Sequence, residues 1–293
     1  MTPDASSDAH PIPARALEHE SDSIYDRGLE FDVRTLVRRR AALTLFGGAG
    51  LAALAACSSD PASTNSSTSA SATAASPTAG SSATPSAEVP DETAGPYPGD
   101  GSNGPDVLAQ SGVVRSDIAT NLGSSERVPG IPLTINLTVT DAGAGYAALT
   151  GAAVYAWHCD AQGRYSMYSD GVTDETFLRG VVETDAQGTA TFTSVFPGCY
   201  AGRWPHIHFE VYAGLDAATS SGQIVKTSQI ALPHAVCEQV YADSSTYPSS
   251  AGNLGQLSLT SDNVFGEDGG VLQLATVTGS AAQGYIANLT IGV

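Results

Sequence analysis

The sequence predicts an all-β domain, an antiparallel β-sandwich, that follows an export signal and a disordered tether. Residues 133–139 alternate apolar and polar side chains, which is the period-2 pattern of a half-buried strand. The tetrapeptide Asp-Ala-Gln-Gly occurs twice, at 160–163 and 185–188, and each copy separates two strand-like runs, as tight hairpin turns do. No helical periodicity of comparable quality follows Val89. Short strands with turn signals between them are typical of a sandwich or barrel.

Residues 1–57 are predicted to be an export signal. Residues 38–40 are all Arg, and the apolar run 41–56 ends in Leu-Ala-Ala directly before Cys57. The run is shorter than the roughly 20 residues that span a bilayer, and its layout is typical of a signal peptide. The Arg run resembles a twin-arginine export signal, and Leu-Ala-Ala-Cys resembles a bacterial lipoprotein cleavage site. We therefore expect lipidation of Cys57 and a place at the cell surface or the extracytoplasmic face of the membrane. A transmembrane anchor is the alternative.

Residues 58–88 are predicted to be a flexible tether, because they are almost wholly Ser, Ala, Thr and Pro. Such a stretch cannot bury enough apolar surface to offset the entropy lost on ordering. The folded domain is expected over 89–293, which is long enough for one sizeable core. The formal net charge of −18, from 12 basic and 30 acidic residues, argues against nucleic acid and anionic membrane surfaces as partners. Membrane contact is expected only through the lipid.

The same strand pattern recurs along the domain. The further predicted strands are Ala152–His158, Arg179–Thr184, Thr189–Phe196, His206–Tyr212, Gln223–Leu232, Val271–Val277 and Tyr285–Ile291. Beyond Cys57 the chain has three cysteines, an odd number that suggests one disulfide and one thiol in an oxidising compartment. Cys199–Cys237 is the predicted pair, because Cys159 lies in a predicted buried strand.

The segment around His206 and His208 carries the strongest chemical signal. On a strand, residues i and i+2 face the same side, so the two imidazoles project together while Ile207, Phe209 and Val211 face the core. Two imidazoles on one rigid strand form half of a metal site. The alternative is a pair of histidines on a solvated strand face.

The remaining ligands decide which metal such a site binds. No cysteine pair has zinc-like spacing. Glu210 shares the face of the two histidines, so a 2-His-1-carboxylate Fe(II) site is one alternative, although Glu210 lies further along a straight strand. Tyr165 and Tyr200 are the other candidates, because a phenolate is a hard anionic donor and tyrosine ligates iron in haem proteins. Two phenolates would favour ferric iron.

Five segments, in order and spacing, resemble the intradiol ring-cleavage dioxygenases, whose members act on catechol, protocatechuate or hydroxyquinol. They are Glu92–Tyr97, Val114–Ile118, Gly163–Ser166, Pro197–Tyr200 and Arg203–His208. The resemblance extends from about Glu92 to Leu232, and we find no clear correspondence beyond it. It implies a β-sandwich core that carries Fe(III) bound by two tyrosines and two histidines.

The resemblance also implies the role of each ligand. Tyr165 and His206 would be equatorial ligands and Tyr200 and His208 axial ones. Tyr200 would leave the metal and accept a proton from the substrate. The substrates would be an aromatic diol and O2, and the product a muconate-type diacid.

Substrate-binding roles follow from the same resemblance. Arg203 would lie near the substrate ring and stabilise negative charge that develops there, unless it is a surface arginine paired with a carboxylate. Tyr97 and Gln229 would line the substrate pocket. A different class of function, a non-catalytic sandwich lipoprotein that binds a partner or carbohydrate, is the remaining alternative.

Overall fold

The computed structural model describes residue 85 and residues 87–293. The predicted export signal, Cys57 and most of the predicted tether lie outside the described residues. Within the described part of the chain, no helix is both long and apolar enough to cross a bilayer.

The strands form two sheets, which confirms the predicted all-β sandwich. The first sheet contains β1 (Pro132–Asp141), β2 (Ala147–Ala148), β5 (Thr189–Val195), β8 (Thr276–Ser280) and β9 (Gly284–Gly292). The second contains β3 (Ala153–Trp157), β4 (Arg179–Glu183), β6 (His206–Tyr212) and β7 (Ile224–Ala231). The second sheet is antiparallel throughout, in the order β4-β3-β6-β7. In the first, β1 pairs antiparallel with β2 and β5 but parallel with β9.

The main core lies between the two sheets, as the alternating pattern predicts. The apolar residues of β1 at positions 133, 135, 137 and 139 are each at most 1% exposed. They share one hydrophobic cluster with Ile207, Phe209 and Val211 of β6. The opposite face of the second sheet is also covered, by a cluster that includes Trp157 and Tyr165. Strand β6 is therefore buried on both faces.

Short helices that the sequence does not predict lie between the strands. They are α1 (Leu215–Thr219), α2 (His234–Tyr241) and α3 (Ser250–Leu254). Helix α2 buries Cys237, Val240 and Tyr241, so it covers part of the core that the strands leave open.

The strand predicted at Val271–Val277 begins only at Thr276. Gly269 and Gly270 have positive φ, and the backbone N–H groups of Gln273 and Leu274 donate to the carbonyl of Gly270. These bonds close a turn where extended backbone was expected. The turn places Gln273 beside β7, where its side-chain amide donates to the carbonyl of Gln229 at 3.3 Å.

The predicted Cys199–Cys237 disulfide is wrong, because Cys159, Cys199 and Cys237 are all buried free thiols. The Cys199 sulfur lies 3.7 Å from the carbonyl oxygen of Arg203 and points at the loop before β6. Burial raises the pKa of the Cys199 thiol to about 12. It also raises the pKa of the Cys237 thiol well above its ordinary value. Since the thiolate is the reactive form, both groups are inert at neutral pH.

Candidate metal centre

The four predicted ligands come from three parts of the chain that meet at one end of the second sheet. Tyr165 lies in the loop between β3 and β4, Tyr200 lies in the loop between β5 and β6, and His206 and His208 open β6. Strands β3 and β6 are antiparallel, and Trp157 is paired with His208. The end of β3 therefore lies beside the start of β6, and the loop that follows β3 passes over the histidines.

The donor atoms of these four residues converge. The Tyr165 oxygen lies 3.3 Å from Nε2 of His206 and 3.3 Å from Nε2 of His208. The Tyr200 oxygen lies 3.2 Å from Nε2 of His206, and the two Nε2 atoms are 3.1 Å apart. Both histidines are 3% exposed, so the alternative of a solvated strand face is wrong.

These separations fit a single metal ion. Two donors that each lie about 2.0–2.1 Å from one ion, at about 90–110° to each other, are roughly 2.8–3.4 Å apart. All four measured separations fall in that range. Two phenols and two imidazoles form a hard, partly anionic donor set, which suits a trivalent ion. The residues present therefore fit the ferric ion that the sequence resemblance implies.

The protonation states of the histidines also suit metal binding. Burial, and next the charge of Arg203, lowers the pKa of His206 to about 3, and burial lowers that of His208 well below its ordinary value. Both rings are therefore neutral at pH 7. Nδ1 of His206 lies 2.5 Å from the carbonyl oxygen of Trp204 and donates to it, which leaves the Nε2 lone pair directed at the donor cluster.

The first Asp-Ala-Gln-Gly turn positions Tyr165. One carboxylate oxygen of Asp160 accepts from the backbone N–H groups of Gln162 and Arg164, both at 2.9 Å. The other oxygen accepts two bonds from the Arg164 guanidinium, at 2.8 and 2.7 Å. Just beyond the turn, the backbone N–H of Tyr165 donates to the Ser169 hydroxyl at 2.8 Å. Hydrogen bonds therefore fix the backbone both at Arg164 and at Tyr165 itself.

The loop that carries Tyr200 packs against that turn and against α3. Gly163 has a φ of +84°, and a Cβ there would lie 3.0 Å from Cβ of Tyr200, so the turn and the loop approach as closely as a glycine allows. From α3, the Ser250 hydroxyl accepts from the Cys199 N–H at 2.9 Å. The Asn253 amide donates to the Cys199 carbonyl at 2.7 Å. Helix α3 thus holds the residue that precedes Tyr200.

Arg203 is buried in a network with Asp262 and Gln229. It is 3% exposed, and its Nε donates to an Asp262 carboxylate oxygen at 3.0 Å. Its Nη2 donates to the Gln229 side-chain oxygen at 2.7 Å. The same Asp262 carboxylate accepts from the Trp204 N–H at 2.7 Å. The alternative of a surface Arg203 is therefore wrong, although Arg203 does pair with a carboxylate, as that alternative predicted.

Asp262, which lies beyond Leu232, is a site residue that the sequence does not single out. Its carboxylate also accepts from the N–H groups of Val264 and Phe265, at 2.9 and 3.1 Å, in the manner of a capping aspartate. The pattern Ser-Asp-Asn before an apolar pair is a turn signal, but it does not indicate an arginine partner.

Tyr97 packs directly on a predicted ligand. Its ring lies 4.9 Å from that of Tyr165, centroid to centroid, and 5.3 Å from that of Tyr168. Gln229, the other predicted pocket residue, donates through its amide to the Thr93 carbonyl at 2.9 Å. Segment 93–97 therefore covers the ligands from the outside. Gly95 within it has a φ of +73°, and a Cβ added there would lie only 3.3 Å from the His208 ring.

Arg179 is a second residue that the sequence does not single out. It is fully buried, and its guanidinium donates to the carbonyl oxygens of Tyr97, Pro98 and Ser166 at 2.9, 2.7 and 3.0 Å. It thereby ties the covering segment to the residue after Tyr165. Arginine at the start of a predicted strand gives no sign of this role.

Glu210 shares the face of the histidines but contacts other residues. One of its oxygens accepts from the Tyr212 hydroxyl at 2.7 Å, and burial raises its pKa to about 7. Among the described residues, no group of three or more His, Cys, Asp and Glu side chains is arranged to hold a metal. The donor cluster is thus built with tyrosines, which disfavours the 2-His-carboxylate alternative.

Comparisons with known proteins find similarity to dioxygenases. A family model described as Dioxygenase matches residues 103–242. An intradiol ring-cleavage dioxygenase from Tetranychus urticae is 26% identical, with a TM-score of 0.51 over 61% of this chain and 86% of that one. A second dioxygenase structure is 25% identical, with a TM-score of 0.51 over 61% and 85%. The dioxygenase domain of a carbohydrate-binding fusion from Streptomyces sp. SirexAA-E is 24% identical, with a TM-score of 0.45 over 71% and 98%. No curated protein sequence matches the chain.

Proposed function

We propose that the folded domain is an intradiol ring-cleavage dioxygenase, a non-haem Fe(III) enzyme that opens catechol-type rings with O2, and the match to a dioxygenase family model and to an intradiol dioxygenase structure supports this. The observation that carries the proposal is the convergence of two phenol oxygens and two imidazole nitrogens: the Tyr165 oxygen and the two Nε2 atoms lie within 3.1–3.3 Å of one another, and the Tyr200 oxygen lies 3.2 Å from Nε2 of His206. In the overall reaction the bond between the two hydroxylated carbons breaks. Both atoms of O2 enter the product, a muconate-type diacid.

Tyr165, Tyr200, His206 and His208 would hold the iron, which when bound supplies a Lewis acid and a template for the diol. The histidines contribute neutral Nε2 donors. The two tyrosines contribute phenolates, whose negative charge the ferric ion offsets inside a site where burial otherwise raises the pKa of Tyr165 well above its ordinary value. Stacking of Trp157 on His208, at 4.9 Å and 8° between the rings, fixes the plane of that imidazole.

Tyr200 is the ligand best placed to move a proton. Tyr165 is 1% exposed, whereas Tyr200 is only half-buried. A phenolate that can leave its position without opening the core can accept the proton of the entering diol at its own oxygen. The tightly packed Tyr165 would stay in place as that exchange occurs.

Arg203 would stabilise the negative charge that develops on the substrate ring. A guanidinium does not lose its proton at neutral pH, and its bonds to Asp262 and Gln229 fix its orientation before the substrate arrives. A pre-oriented donor in a water-poor site is the arrangement that stabilises a charged transition state most effectively.

We also propose that the enzyme is exported and anchored by a lipid on Cys57. The basic run at 38–40, the apolar run at 41–56 and the Leu-Ala-Ala-Cys sequence support this. In a bacterial host, the full chain should fractionate with membranes and Cys57→Ser should not. Equal membrane binding of the two would contradict the lipid anchor.

A visible absorption spectrum tests the proposed chemistry. Iron-loaded protein should be burgundy through tyrosinate-to-Fe(III) charge transfer, and the band should shift when catechol is added without O2. Oxygen uptake with catechol, protocatechuate and hydroxyquinol then tests turnover. A colourless protein that consumes no O2 with any of the three would instead favour a non-catalytic binding lipoprotein.

A further inference from the structure

The charges around the donor cluster bear on which catechols the site accepts, an inference that rests on the proposed function. The basic residues of the described chain are Arg115, Arg127, Arg164, Arg179, Arg203 and Lys226. Arg127, Arg164 and Lys226 are paired with carboxylates, and Arg115 donates to backbone carbonyls. The two remaining cations of the described residues lie beside the donor cluster, because Arg179 bonds Ser166, the residue after Tyr165, and Arg203 lies in the loop that carries Tyr200.

Arg179 has no donor left for a substrate. A guanidinium has five N–H groups, and Arg179 makes five hydrogen bonds. Besides the three carbonyls already described, it donates to the hydroxyls of Ser166 and Tyr155, both at 3.0 Å. A substrate carboxylate could bind Arg179 only by breaking bonds that hold segment 97–98 in place.

The charge of Arg203 is already balanced. Its partner Asp262 is fully buried, and the pair is closed at 3.0 Å. The pair therefore presents little net positive charge to a ligand, although the guanidinium remains a directional donor. A second anion beside it would compete with a carboxylate that also holds the backbone of Trp204.

Glu92 adds a further carboxyl to this group. It is half-buried, its backbone N–H donates to the Thr227 carbonyl at 2.8 Å, and the next residue bonds Gln229, the partner of Arg203. Burial raises the pKa of Glu92 to about 7, Arg203 lowers it, and Asp268, Asp262 and Glu267 raise it further. The residue directly before the covering segment is thus a carboxyl whose surroundings disfavour its own negative charge.

We propose that this site accepts uncharged catechols and excludes catechols that carry a ring carboxylate, with Glu92 as the residue that sets the preference. A carboxylate that enters beside Glu92 and the balanced Arg203–Asp262 pair would be desolvated without a cation to compensate it. An uncharged ring of the same size meets no such cost.

Two substrates of matched size separate charge from shape. For the iron-loaded full chain, kcat/KM is measured with 3,4-dihydroxybenzamide and 3,4-dihydroxybenzoate, with catechol as the reference. We expect the amide to exceed the carboxylate by about tenfold or more, because the carboxylate loses its hydration without gaining a cation. Glu92→Gln should reduce the amide-to-carboxylate ratio several-fold. The matched control Glu183→Gln removes an exposed carboxylate at the other end of β4 and should leave the ratio unchanged.

Each outcome is informative. Equal efficiency for amide and carboxylate in the wild-type enzyme, or a preference for the carboxylate, overturns the inference while leaving the proposed function intact. An unchanged ratio in Glu92→Gln overturns the role of Glu92. Absence of colour and of turnover with all three diols overturns the proposed function, and this inference with it.

Discussion

Two regions of the domain contribute to the site in different ways. Residues 165–208 supply all four donor atoms. Residues 250–273 supply none, yet Ser250, Asn253 and Asp262 bond the loop that contains Tyr200 and the segment that leads into β6. The first region supplies the donor atoms, and the second bonds the segments that carry Tyr200 and the histidines.

The difference shows that donor identity and donor position are encoded separately. Phenol and imidazole donors must come from a few residue types, whereas a supporting hydrogen bond to a backbone group can come from many side chains. We therefore expect substitutions in the donor region to remove the metal chemistry outright. Substitutions in the supporting region should leave the iron bound and lower the rate.

The largest effect is expected for Tyr165→Phe, which removes one donor and keeps the ring. Changes to groups that only orient a metal ligand cost about 10–100-fold, so loss of a ligand should lower kcat by roughly 10³-fold, or about 4 kcal/mol. Iron content, the charge-transfer band and kcat measure it. Tyr168→Phe is the control, because the Tyr168 hydroxyl bonds Gly99 and Asn103 and not the donor cluster. An unchanged band in Tyr165→Phe would show that this phenol is not a ligand.

Asp262→Asn tests the supporting region at its most buried point. Removal of one partner from a buried ion pair costs about 3–5 kcal/mol of stability, and the uncompensated Arg203 should lose its orientation. We expect a 10–100-fold lower kcat with iron content and colour near wild type. Denaturant unfolding and rate measurements on the same preparation separate the two effects, and Asp174→Asn, an exposed carboxylate, is the control. If Asp262→Asn lost its iron as well as its activity, the donor region and the supporting region would not differ in the way proposed.

The sequence predicts the donor region better than it predicts the supporting region. The alternation in β1 and the spacing of His206 and His208 predict a sandwich and a shared imidazole face, because strand periodicity is a local property. Asp262 and Arg179 act through hydrogen bonds across 59 and 81 positions of the chain, and such partners leave no local signal. The wrong disulfide and the shortened β8 have the same cause, since tertiary packing decides where a thiol points and where a glycine turn ends.

Gly163→Ala probes the contact between the two donor-bearing loops. A non-glycine residue in the left-handed region costs about 1–2 kcal/mol, and the new Cβ would also press on Tyr200. Gly171→Ala is a matched control, because Gly171 has a φ of +77° but a Cβ added there would meet nothing within 4 Å. Both variants should lose stability in denaturant unfolding through the left-handed conformation, and Gly163→Ala should lose more because of its contact with Tyr200. Only Gly163→Ala should lower kcat. We expect a decrease of roughly fivefold to tenfold, because a small displacement of Tyr200 should cost no more than the loss of a group that orients a metal ligand, which costs about 10–100-fold.

The smallest effect is expected for Asn253→Ala, which removes the 2.7 Å bond to the Cys199 carbonyl. A single neutral hydrogen bond contributes about 1 kcal/mol, and the Ser250 hydroxyl still binds the Cys199 N–H. Stability should therefore fall by about that amount and kcat by only twofold to threefold, with Gln256→Ala, an exposed neighbour that bonds within its own turn, as the control. If Asn253→Ala lowers kcat as much as Asp262→Asn does, then the placement of Tyr200, and not the orientation of Arg203, is what the supporting region chiefly controls.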